Sequence, residues 1–234
     1  MTRFFAWAAL CASLLLGGCA AVAPQPPITL APDWDQSARN GRVGVLVSAI
    51  PSPDTEFPGA SCLLCMGVAS MAHSSMTQHV RTLGTDELKP LRTDLVALLK
   101  ARGIDAVAID EPWKFADLPD LKAAEPLNRS PKDFSAYKAR HNVTRLLVVQ
   151  IGSLGVWRSY SGYVPTDTPK AVVNGSAFLV ELDGHKLEWL VPLEVRRGAE
   201  GAWDEPPKFP GLTNAYFQAL DAALEEIKKP FAKR

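Results

Sequence analysis

The residue types best suited to chemistry crowd between Phe57 and Val80. Cys62 and Cys65 form a C-x-x-C. Met66, Met71 and Met76 are the only methionines after the initiator, and His73 and His79 are two of the four histidines. At about 100° per residue, a helix here would gather Cys62, Cys65, Met66, Ala69, His73, Met76 and Val80 within about a 100° arc, with Met71 opposite. Three chemistries fit that stripe. Sulfur side chains are adaptable fillers of irregular core gaps. Cys62 and Cys65 could form a disulfide, structural or redox-active, the latter if Cys62 sits at a helix N-terminus. Cys62, Cys65, His73 and Met76 could instead hold copper(I) or zinc, because thiolate, imidazole and thioether suit soft metals. His73 and His79 are six apart and fit no zinc-finger spacing.

Elsewhere the chemistry is sparse. The paired acids Asp33/Asp35, Asp86/Glu87, Asp117/Asp120 and Glu225/Glu226 read as solvated charge at a linker, a helix start, a loop and a helix face. Ser153 lies in Gly-Ser-Leu-Gly without the preceding glycine that a nucleophile elbow needs. His141 and His185 have no evident catalytic partner. No phosphate loop, H-E-x-x-H or dinucleotide fingerprint is present. The expectation is therefore a protein that is not an enzyme and carries no cofactor. Trp157, Arg158, Tyr160, Tyr163 and Trp203 lie at a strand end and in loops. Aromatics with arginine on loops have the composition of protein-interface anchors, or of a satellite core under loops.

The chain's start supplies a compartment. Arg3 is the only charge before an apolar run, Phe4 to Leu16, that ends in Leu16-Gly17-Gly18-Cys19. Those thirteen residues reach about 20 Å as a helix, short of the roughly 30 Å hydrocarbon core. They read as a secretory signal over 1–18. Leu16 to Cys19 resembles the bacterial lipobox. That resemblance implies a diacylglyceryl thioether on Cys19, cleavage before it and acylation of the new amino group, with palmitate as a typical chain. Ala20 follows where an aspartate would favour inner-membrane retention, which implies the periplasmic face of the outer membrane. Several acyl chains would anchor firmly. In an oxidising envelope, Cys62 and Cys65 would tend to be joined.

The chain has 25 basic and 25 acidic residues. Losing 1–18 removes Arg3 and leaves a net charge of −1. Such balance argues against electrostatic capture of nucleic acid. Nothing else uncharged and apolar reaches spanning length. Residues 19–40, with Pro24, Pro26, Pro27 and Pro32, read as a tether of up to roughly 60 Å. Residues 41–234 read as a single periplasmic domain.

Within that domain Arg42 to Ile50 suggests a buried strand, and Pro51, Pro53 and Pro58 a loop. Thr85 to Arg102 suggests a helix with Leu88, Leu91, Leu95 and Leu98 on its apolar face, stopped by Gly103. Ile104 to Asp110 follows as a strand, parallel to the first. Residues 111–129 look irregular. Ser130-Pro131 suggests the N-cap and first position of a short helix to Arg140. Thr144 to Tyr160 suggests a strand bulged near Gly152 and Gly155. Ala171 to Leu182 and Lys186 to Val195 suggest a hairpin about Asp183-Gly184, with Asn174-Gly175 as a bulge rather than a turn. Thr213 to Lys229 suggests the last helix, with Phe217, Leu220, Leu224 and Ile227 on one face and Pro230 ending it.

The order β-α-β-α-β-β-β-α predicts an α/β (α+β) fold: a mixed sheet of about five strands with helices packed on it. That order over 41–229, with the strand GRVGVLVSAI, resembles the small periplasmic α/β domains of envelope lipoproteins. Among these are the penicillin-binding-protein activators, the curli-secretion lipoprotein and the amino-terminal domain of the Tol-Pal propeller protein. The resemblance implies a non-enzymatic assembly or binding module whose partner is another envelope protein. No functional residue carries over from it. The alternative is a thiol-redox or copper-handling lipoprotein using the segment from Cys62 to His79.

Overall fold

The computed structural model describes residues 25–122 and 127–232. Cys19 and the first part of the expected tether lie outside them. The elements in chain order are α1 (Trp34–Ala38), β1 (Arg42–Val47), β2 (Asp54–Glu56), α2 (Leu63–Ala72), α3 (Ser74–Val80), α4 (Leu91–Ala101) and β3 (Asp105–Ile109). Then come α5 (Ser135–His141), β4 (Arg145–Trp157), β5 (Tyr160–Ser161), β6 (Val164–Pro165), β7 (Lys170–Glu181), β8 (Leu187–Gly198) and α6 (Pro210–Lys228).

The main sheet is mixed and has six strands rather than five. Its order is β3-β1-β4-β7-β8, parallel among the first three and antiparallel thereafter. The sixth strand, β2, is too short and polar to show a period. It pairs parallel with the far end of β4, Asp54 opposite Gly155, continuing the edge that β1 begins. Gly155 permits this. Its φ is +139°, and a Cβ there would collide with the Asp54 carbonyl.

The run of β4 is apolar on both faces because both are covered. Leu147, Val149 and Ile151 face α1, α4 and α6, while Leu146 and Val148 face Phe134, Tyr137 and Phe178. A bulge at Gly152 shifts the register between Ile151 and Ser153, so Leu154 rejoins the α4 and α6 side at the opposite parity. The bulge lies on β4; β7 runs straight through Asn174-Gly175.

Several boundaries differ from the sequence reading, each for a local reason. Pro90 separates a 3-10 turn, Asp86–Leu88, from α4, whose buried line is Leu91, Leu95 and Leu99, with Leu98 half-buried. Ser130 does not cap a helix. Its hydroxyl is tied to the Lys132 backbone, and α5 starts at Ser135, whose N–H donates to Asp133 at 2.8 Å. The β7–β8 connection is a five-residue loop, 182–186. The Glu181 carboxylate accepts from the N–H groups of Asp183 and Gly184, and His185 takes the left-handed conformation. The last helix starts earlier, at Pro210.

Part of the stretch expected as a tether, 19–40, is folded onto the domain. Ile28 exchanges backbone hydrogen bonds with Leu190, and Leu30, Trp34 and Ala38 are buried in the main core. The few strong core residues of this stretch were enough. Trp34 packs edge-on to Phe231 and donates from Nε1 to Glu188 at 2.9 Å. Among the described residues no helix is long and apolar enough to cross a membrane.

Candidate functional site

The segment from Phe57 to Val80 contains no Asp, Glu, Lys or Arg. It folds at the C-terminal end of β4, remote from the edge where Ile28 joins β8. It is not one helix. His73 ends α2 and opens α3, its N–H donating to the Ala69 carbonyl at 3.1 Å and its own carbonyl accepting from Thr77 at 2.9 Å. The kink keeps most of the expected stripe inward. Cys65, Ala69, His73, Met76 and Val80 are buried, most of them in a satellite core with Phe57, Val156 and Leu212. Met66, expected in that stripe, is exposed.

The outer face of α2 is also apolar. Leu63 is 96% exposed and Met71 79%, with Leu64, Met66 and Val68 between them. Tyr163 and Val164, from the β5–β6 ribbon, add two further exposed apolar side chains. The Tyr163 hydroxyl donates towards Cys62 Sγ at 3.7 Å.

Cys62 is the N-cap of α2, extended at φ −101° and ψ 152°, and its Sγ accepts from the Cys65 N–H at 2.9 Å. Cys62 is exposed and Cys65 buried. The two form a disulfide with Cα atoms 5.0 Å apart. Joined sulfurs are not thiolates. The set Cys62, Cys65, His73 and Met76 is therefore not assembled as a soft-metal centre in this state. Among the described residues no three His, Cys, Asp or Glu side chains stand close enough to hold a metal ion.

Beneath α2 lies a polar cluster that sequence separation concealed. His73 Nε2 is 2.8 Å from the Tyr160 hydroxyl and 3.0 Å from Arg158 Nη1. A guanidinium can only donate, so Nε2 is the unprotonated nitrogen and the ring is neutral. Burial pushes the His73 pKa down, and the Arg158 charge adds to it. Phe57 stacks on the ring at 5.6 Å, and Trp203 meets it edge-on at 5.9 Å. Arg158 lies over Trp203 at 5.1 Å and donates to the Asp167 carbonyl. Gly59, at φ +88°, lets the preceding loop close on the Tyr160 backbone, where a Cβ would collide.

The five aromatic and arginine positions singled out from the sequence thus separate. Arg158, Tyr160 and Trp203 are occupied in packing around His73. Trp157 points to the other side of its strand under the Arg196 guanidinium, and Tyr163 alone is largely exposed. Period-two alternation splits neighbours in this way.

Beside α2 and α3 runs an open groove of about 760 Å³, with Thr55, Glu56, Ser70, Gln78, Arg81 and Trp157 in its lining. Arg81 is engaged bidentately by Asp54 at 3.0 and 3.1 Å, and that contact holds the Asp54 carboxyl below its ordinary range. Far from there, His185 Nε2 stands 3.4 Å from the Ser135 hydroxyl and 3.7 Å from Asp133. This is not triad geometry. The carboxylate approaches the same nitrogen as the serine and accepts from Ser135, while His185 Nδ1 is buried without a partner.

No family model matches the chain, and no curated protein matches it in sequence. Among solved structures, a PelC dodecamer from Paraburkholderia phytofirmans is 12% identical, with 89% of this chain and 96% of that chain covered and a TM-score of 0.35. A neuraminyllactose-binding hemagglutinin homologue from Helicobacter pylori is 11% identical, covering 91% and 89%, at 0.39. A lipoprotein from Neisseria meningitidis is 15% identical, covering 79% and 99%, at 0.29. At those scores the likeness carries no argument about function.

Proposed function

We propose that the chain is a bacterial lipoprotein, anchored by acyl groups on Cys19 to the periplasmic face of the outer membrane, whose domain binds another envelope protein without catalysing a reaction. The address rests on Leu16-Gly17-Gly18-Cys19 behind its apolar run and on Ala20 after it. The observation that carries the binding half is the outer face of α2, where five large apolar side chains from Leu63 to Met71 stand in solvent. Single exposed apolar residues are ordinary; a contiguous set marks an interaction site.

Fixation of the fold from Ile28 shapes how such a protein would sit. The chain between Cys19 and Ile28 can span at most about 30 Å. The domain would stay close to the bilayer, with α2 at the end of the sheet away from the point of attachment.

Cys19→Ser should abolish labelling by an alkyne palmitate analogue and move the protein from the detergent to the aqueous phase. Persistent labelling at another residue would overturn the anchor. For the binding half, a photocrosslinking residue at Met71 should trap a discrete envelope protein, and one at the exposed Asp221 of α6 should not. Leu63→Ser should then weaken the Met71 product. Equal products from both probe positions would overturn the binding face.

A further inference from the structure

The exposed apolar face of α2 has a sulfur at its head. Cys62 is exposed at the N-cap and Cys65 is buried one turn later, so only one sulfur of the bond is open to attack. The two residues between them, Leu63 and Leu64, both stand in solvent, and Tyr163 and Val164 flank them. Neither leucine belongs to a packed cluster of the domain. A bond closing so short a loop removes little entropy from the unfolded chain, so stability alone accounts poorly for it. The electrostatics favour charge on Cys62. The Cys65 N–H already donates to its Sγ, the other free amides of the α2 N-terminus lie in the same turn, and no acidic side chain occurs from Phe57 to Val80.

We propose that Cys62 and Cys65 form a thiol–disulfide exchange centre, and that the apolar face around them docks a cysteine-bearing apolar segment of a partner polypeptide. This inference rests on the reading of α2 as the partner-binding face. In the oxidising direction a partner thiolate attacks Cys62 Sγ. The Cys62–Cys65 bond breaks, a mixed disulfide between partner and Cys62 forms, and the electron pair leaves on Cys65 Sγ, which takes up a proton released by the partner's thiols. A second partner thiolate attacks the partner sulfur of the mixed disulfide and releases Cys62 as a thiolate, which the Cys65 N–H and the helix N-terminus stabilise. The partner dithiol is oxidised to a disulfide, and its two electrons reside on Cys62 and Cys65. The reverse sequence reduces a partner disulfide, and the redox poise of the compartment sets the direction.

The test uses full-length protein in detergent, with Cys62 and Cys65 read separately by peptide mass spectrometry after alkylation. In glutathione redox buffers the pair should interconvert between oxidised and reduced forms at millimolar glutathione. In the reduced protein Cys62 should be alkylated at least tenfold faster than Cys65. Cys65→Ser should accumulate a mixed disulfide on Cys62 when given a synthetic apolar peptide whose single cysteine is already joined to glutathione, the Cys62 thiolate attacking the peptide sulfur and glutathione leaving as its thiol. That reaction should be at least tenfold faster than with an acidic peptide of equal length. A pair that resists glutathione, or cysteines alkylated at equal rates, would overturn the proposal. Thermal unfolding of Cys62→Ala/Cys65→Ala should stay cooperative, so that lost exchange is not lost folding. If the Met71 crosslink forms normally while no exchange occurs, the binding face stands and the exchange centre falls. If exchange is fast and the crosslink never forms, the binding reading falls.

Discussion

At the residue scale, His73 couples the satellite core to pH. Its ring is buried, neutral and faced by Arg158, and burial is the main reason its pKa lies below the ordinary range. His79 behaves alike, lowered first by burial and then by Lys208, with Nε2 2.7 Å from the Thr213 hydroxyl. In the unfolded chain both rings protonate near about 6.5. Below that value the unfolded chain takes up protons that the folded chain refuses. Their contribution is therefore fully present above about pH 6.5 and declines as the pH falls towards the depressed folded values. Urea midpoints should drop between about pH 7 and pH 5, and His73→Phe should make that drop shallower. Identical pH slopes for the two proteins would mean that His73 is protonated in the fold.

At the element scale, two leucines on helices should behave oppositely. Leu95 lies on α4, fully buried in the main core against β1 and α6. Leu95→Asp would bury an unpaired carboxylate and should cost several kcal/mol, comparable with the whole stability of an ordinary domain. Leu63 opens α2 and is almost fully exposed. Leu63→Asp should change stability by no more than about 0.5 kcal/mol, while weakening the Met71 crosslink. Thermal unfolding of the two variants side by side checks both. A cooperative, wild-type-like transition for Leu95→Asp would contradict the orientation of α4.

At the scale of the whole molecule, the sheet is closed from outside by a segment that precedes its first strand. Glu188 is the extra residue where the β7–β8 register shifts, and its carboxylate is held by Arg145 at 2.8 Å and by Trp34 Nε1 at 2.9 Å. Trp34 in turn packs on Phe231 from the chain's other end. One half-buried ion pair thus joins α1, β4 and β8. Trp34→Ala should remove that closure at a cost of about 3–5 kcal/mol, measurable by urea denaturation. A tether residue would lose almost nothing on truncation, so a change under about 0.5 kcal/mol would return residues 28–38 to the linker.

Short-range periodicity made much of this fold legible before any distant contact was known. The leucine face of α4, the valine-rich β1, the two-sided run of β4 with its glycine bulge and the mixed α/β architecture were legible because each depends on residues a few positions apart. So was the inward stripe of Cys65, Ala69, Met76 and Val80. The tertiary structure alone decided what depends on distant partners. β2 exists because the end of β4 offers an open edge, not because Asp-Thr-Glu favours a strand. The segment from Ile28 to Ala38 is ordered because Leu190, Glu188 and Phe231 receive it. His73 breaks the helix and meets Arg158 and Tyr160, more than eighty residues away in sequence. The exposed outer face of α2 could not be read from composition either, because LLCMGVASMA is apolar all round and only the finite size of the satellite core determines which side is left in water.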